Sequence, residues 1–95
     1  MKHALKAERL LQELEDVAGR LFNEVRHEQG LFRTGSCNFK GKDLLVINSL
    51  QSIDERIADL AREISRLGVE KIYLKPAVRA EVERFSPASG FSDLS

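Results

Sequence analysis

The chain has one cysteine, Cys37, and no tryptophan. A lone thiol has no partner for an internal disulfide, so the fold rests on burial, and nothing asks for an oxidising compartment. Basic and acidic residues balance at 15 each. The excess of Lys and Arg that neutralises phosphates is therefore missing, and no nucleic-acid partner is expected. No apolar run approaches the roughly 20 residues needed to cross a bilayer. The N-terminus, Met1-Lys2-His3-Ala4-Leu5-Lys6, carries charge where a secretion signal would have its apolar core. The expectation is a cytoplasmic chain with no membrane association. Two histidines, His3 and His27, and the single Cys37 form no ligand set at a familiar spacing, so neither metal nor cofactor is expected. Gly35-Ser36 and Gly41-Lys42 match neither standard form of phosphate loop.

What is present reads as one domain. Ninety-five residues suffice to bury a core without staples. Residues 1–85 form the domain, and 86–95 (SPASGFSDLS) read as a small, polar C-terminal tail. From Ala4 to His27 the apolar positions Ala7, Leu11, Leu14, Ala18, Leu21 and Val25 alternate gaps of four and three, which predicts a long helix. Leu10, Val17 and Phe22 widen its stripe beyond a coiled-coil seam. Gly19 in mid-helix suggests a close neighbour, and Gly30 a stop. A helix of some 24 residues spans about 36 Å, against roughly 30 Å for the diameter of a domain this size. That excess predicts a homodimer through Leu10, Leu14 and Leu21.

A β-hairpin follows, with arms Ser36–Phe39 and Asp43–Ile47 around Lys40-Gly41-Lys42. Gly41 suits a positive φ, as in a type I turn with a G1 bulge. A two-residue loop pairs Cys37 with Leu44 and a three-residue loop pairs it with Asp43, so the facing of Cys37 stays open. The unbroken run Leu44-Leu45-Val46-Ile47 predicts a central strand covered on both faces. Ser52 and Glu55 form a capping box. The stripe Ile53, Ile57, Leu60, Ile64 and Leu67 continues that helix to Gly68, with Val69 placed to fold back on Ile64. Glu70-Lys71-Ile72-Tyr73-Leu74 reads as a strand parallel to 44–47, which makes a βαβ-like return. Pro76 opens a last helix to Phe85, with Val78, Val82 and Phe85 inward. The fold class is α+β: a long N-terminal helix, a hairpin, a βαβ-like return, a C-terminal helix, and a small three-stranded sheet with helices packed on it.

The segments Gly35-Ser36-Cys37-Asn38-Phe39-Lys40-Gly41-Lys42, Leu45-Val46-Ile47-Asn48, Glu55-Arg56-Ile57 with Leu60-Ala61, and Ile72-Tyr73-Leu74-Lys75-Pro76-Ala77-Val78-Arg79 resemble a group of short bacterial proteins. The resemblance covers about half of the chain. It brings no activity with it, and it points to Gly35, Cys37, Pro76 and Arg79 as a place to look.

Three functions compete. The first is a small homo-oligomeric interaction or adaptor protein without catalytic activity, working through the first helix. The second is a small-anion domain that binds phosphate or carboxylate with Arg33, Lys75 and Arg79, helped by the N–H groups at the start of the last helix and by small donors at Thr34, Gly35 and Ser36. The third is a thiol enzyme at Cys37, which needs a base or cation beside the sulfur. The competing reading of Cys37 is a small buried hydrophobe. His3 and His27 are expected to face solvent, and Tyr73 to be a half-buried strand residue.

Overall fold

The computed structural model describes residues 2–68 and 73–85. Three helices and three strands follow in the order α1 (Lys2–Leu21), β1 (Glu24–Glu28), β2 (Gly35–Phe39), β3 (Lys42–Asn48), α2 (Ile53–Leu67) and α3 (Pro76–Arg84). The fold is α+β, as the sequence pattern predicts. The strands form one mixed sheet in the order β1-β3-β2, with β1 parallel and β2 antiparallel to β3.

The third strand is not the expected one. Helix α1 stops at Leu21 instead of running to His27, and the chain turns at once into β1. Asn23 makes the turn: its main-chain N–H donates to Asp43 O at 2.9 Å. Its side-chain oxygen accepts from Asp43 N at 2.7 Å. Val25 is apolar in either period, as the fourth residue after Leu21 on a helix or opposite Leu45 in the sheet, so periodicity alone does not choose. Along Leu44–Val46 both edges of β3 are occupied, by β1 and by β2. No edge is left there for the expected strand at 70–74. Tyr73 and Leu74 lie in no strand, whereas residues 70–72 of that segment, Val69 with its expected fold-back, and the tail 86–95 fall outside the described residues.

The hairpin closes with a two-residue loop. Lys40 and Gly41 both have positive φ, 53° and 83°, the requirement of a type I′ turn, in place of the type I turn with a bulge. The register is therefore Cys37 opposite Leu44. Leu45 and Ile47 point into the core and are fully buried, while Leu44 and Val46 are only partly covered. Strand β3 is central, but among the described residues only one of its faces carries helices.

The core joins Leu11, Leu14, Val17, Ala18 and Phe22 to Leu45, Ile47, Ile57, Leu60 and Ile64, with Leu74, Val78 and Val82 closing it from the α3 side. Each fully buried aliphatic side chain contributes about 1.5–3 kcal/mol. Helix α2 begins as its sequence dictates: Ser52 Oγ accepts from Glu55 N, and Glu55 Oε1 accepts from Ser52 N, both at 3.1 Å. It ends at Gly68, whose N–H reaches Ile64 O at 3.0 Å. Gly19 has no close neighbour, since a Cβ there would meet nothing within 4 Å. Leu14 is wholly buried within its own chain, and Leu10 and Leu21 are partly buried against the same core. The 20 residues of α1 span about 30 Å, inside a molecule of 43 × 39 × 25 Å. The length argument for a dimer through α1 thus loses its premise.

Candidate interaction site

The strand order makes one connection awkward. To pass from β1 to β2 the chain must arch across the end of β3, and residues 29–34 do so with main-chain groups that no strand can pair. Asn48, the last residue of β3, takes over. Its buried amide donates to Gly30 O at 2.8 Å and to Phe32 O at 2.6 Å, while its side-chain oxygen accepts from Leu50 N at 3.0 Å. Its own N–H donates to Thr34 Oγ1 at 3.0 Å.

Thr34 hands the network on. Its N–H and hydroxyl both donate to Gln51 Oε1, at 3.0 and 2.6 Å, and Gln51 Nε2 donates to Asp59 Oδ2 at 2.9 Å. Asp59, on α2, is 1% exposed and is closed off by Arg33 Nη2 at 2.6 Å and Arg62 Nη1 at 3.0 Å. Burial pushes its carboxyl pKa up. The hydrogen bonds from Arg33 and Gln51, with the charges of Arg33 and Arg62, outweigh that and hold it below the ordinary Asp value. One helical turn on, buried Glu63 accepts from the Ser36 hydroxyl and pairs with Arg66 Nη1 at 3.3 Å. Among the described residues no buried side-chain polar atom lacks a partner. A network so fully satisfied rigidifies what it holds.

What it holds is apolar and faces water. Leu31 is fully exposed at the crest of the loop, Phe32 is partly exposed, and Leu50 on the following loop is 63% exposed. The three line a groove of about 460 Å³ with Arg33, Gln51 and Glu55. Scattered exposed leucines need no explanation. Three large apolar side chains on two adjoining loops do, when both loops are braced from beneath. The groove lies beyond the carboxyl ends of the parallel strands β1 and β3.

The predicted site residues are not assembled here. Arg33 is engaged with Asp59 on α2, Lys75 pairs with Glu13 on α1 at 2.8 Å, and Arg79 lies 4.0 Å from Glu83 along α3. The main-chain N–H of Arg79 donates to Lys75 O at 2.8 Å, so it is not one of the free donors at the start of α3. Of the four residues marked by resemblance, Gly35 and Cys37 belong to β2, and Pro76 and Arg79 to α3. Cys37 is exposed, not buried as a small hydrophobe. Its cross-strand neighbour is Leu44. His27 faces the other side of the sheet, 3.6 Å from Glu15 of α1, and is itself exposed. Tyr73 is exposed outside any strand. Among the described residues no cluster of His, Cys, Asp or Glu could hold a metal ion, and no helix is long and apolar enough to cross a membrane.

No family model matches the chain, and no curated protein or solved structure is significantly similar to it.

Proposed function

We propose that the chain is a small, non-catalytic interaction module, whose braced 29–34 loop docks an apolar segment of a partner protein against Leu31, Phe32 and Leu50. The observation that carries this reading is the exposure of Leu31 and Leu50 on loops whose polar groups are satisfied from below by Asn48, Thr34 and Gln51. A loop already fixed in one conformation loses little entropy on binding, so apolar contact there converts to affinity efficiently. The partner chemistry that fits is an amphipathic helix or loop presenting aliphatic side chains to the groove, with polar groups near Arg33 and Glu55 at its rim. An exposed free thiol at Cys37 favours a reducing, cytoplasmic setting for this work.

The test compares affinity capture by the unmodified protein with capture by a Leu31→Ser, Leu50→Ser double variant of unchanged thermal midpoint. A defined protein retained by the first and lost by the second supports the module. Equal capture by both, or no specific capture by either, sinks it. The anion-binding alternative ranks second, because each of its three cations is engaged with or close to a carboxylate of the same chain. Each carboxylate offsets part of its cation's charge and so weakens the pull on a free anion.

A further inference from the structure

Strands β1 and β2 both lie at edges of the sheet, and the two edges differ in kind. Strand β1 reads Glu24-Val25-Arg26-His27-Glu28, four of its five residues ionisable, the usual protection against a second strand. Strand β2 reads Gly35-Ser36-Cys37-Asn38-Phe39 and carries no charge. In the two-residue hairpin, Phe39, Cys37 and Gly35 exchange hydrogen bonds with Lys42, Leu44 and Val46. The alternation turns the N–H and C=O groups of Ser36 and Asn38 outward, and no main-chain bond to them is found among the described residues. The bond of Asp43 N–H to Asn23 on the β1 side fits the same phase, since Asp43 stands opposite Asn38 and turns its main chain away from it.

We propose that β2 pairs antiparallel with β2 of a second copy about a two-fold axis at Cys37, making a continuous six-stranded sheet. The register follows from the outward groups. With the axis at Cys37, Ser36 and the partner's Asn38 exchange both main-chain bonds, and symmetry repeats the pair, using every outward group of 36 and 38. An axis at Ser36 or at Asn38 leaves half of them without a strand partner, because Thr34 N–H is already bonded to Gln51 and residue 40 is in the turn. Cys37 then faces the partner's Cys37 in a non-hydrogen-bonded pair, with Cα atoms about 4.5 Å apart. Phe39, 64% exposed in the single chain, lies over the partner's Gly35, an arrangement in which an aromatic ring covers the bare backbone of a strand glycine. The sheet face that carries Leu44, Val46, Cys37 and Phe39 becomes continuous across the axis. The occupant of this edge is a second copy because the edge complements itself.

The experiment uses the full chain. Sedimentation across micromolar to submillimolar concentrations should show a dimer, and mild oxidation of the native protein by diamide should link it through Cys37. In that step two thiols lose two protons and two electrons to diamide and form one S–S bond. Cys37 is exposed, so Cys37→Glu and Cys37→Lys leave the fold intact by circular dichroism. Each sets like charges directly opposite and should weaken the dimer by about tenfold or more, whereas a mixture of the two should recover it. A monomer at every concentration overturns the proposal. So does a dimer that is indifferent to both charges and is not linked by oxidation.

Discussion

Asn48 donates both protons of its amide to carbonyls of the crossing loop, Gly30 O and Phe32 O. Asn48→Ala should cost about 1–3 kcal/mol by leaving those acceptors unpaired, measured as a shift of the urea midpoint at constant slope. Asn48→Asp should cost more, because it sets a carboxylate oxygen against two carbonyl oxygens. Asp59 gives a pH signature. Its carboxyl pKa is lowered in the fold, so its contribution is present above the unfolded Asp pKa, about 4. It is lost as pH falls through the still lower folded value. Asp59→Asn should therefore flatten the decline of unfolding free energy below about pH 4, followed by urea titrations at stepped pH. Neither residue stood out in the sequence. At 100° per residue Asp59 falls off the Ile57–Leu60–Ile64 stripe. It is buried because Arg33 and Gln51 arrive from loops, which helical periodicity does not encode. Leu31 and Leu50 were equally hidden, since a loop leucine carries no period to mark it as exposed.

Helix α2 was legible because its signals are local: a capping box, a four-three stripe and a terminal glycine lie within 17 consecutive residues, Ser52 to Gly68. The end of α1 was not, since what stops it is the bonding of Asn23 to Asp43, 20 positions away. The sheet outbid a further helical turn. Gly19 bears on the same helix. Helical and with open space where a Cβ would stand, it should accept alanine. Gly19→Ala should raise stability by about 0.5–1 kcal/mol, a rise in Tm of several degrees by calorimetry. A fall would mean that the position serves a contact made only on association.

At the scale of the molecule, the class of fold was readable while the path of its chain was not: hairpin and helices are coded locally, the parallel pair is not. Strand β3 bonds along both edges, while β1 and β2 each bond along one. Hydrogen exchange should accordingly be slow along Leu44–Ile47 and faster at Val25 and His27, whose N–H groups face away from β3, and equal protection of the two sets would contradict this. The same order bears on how the protein is made. The strand that fills the centre of the sheet is the last of the three to be synthesised. Until the ribosome has released Asn48, α1 and β1 have no sheet to join, and the apolar face of α1 stays open to solvent. The hairpin can close within microseconds of its emergence. The N-terminal segment, made first, must wait for it, and in that interval a chaperone would find Leu11, Leu14 and Phe22 uncovered.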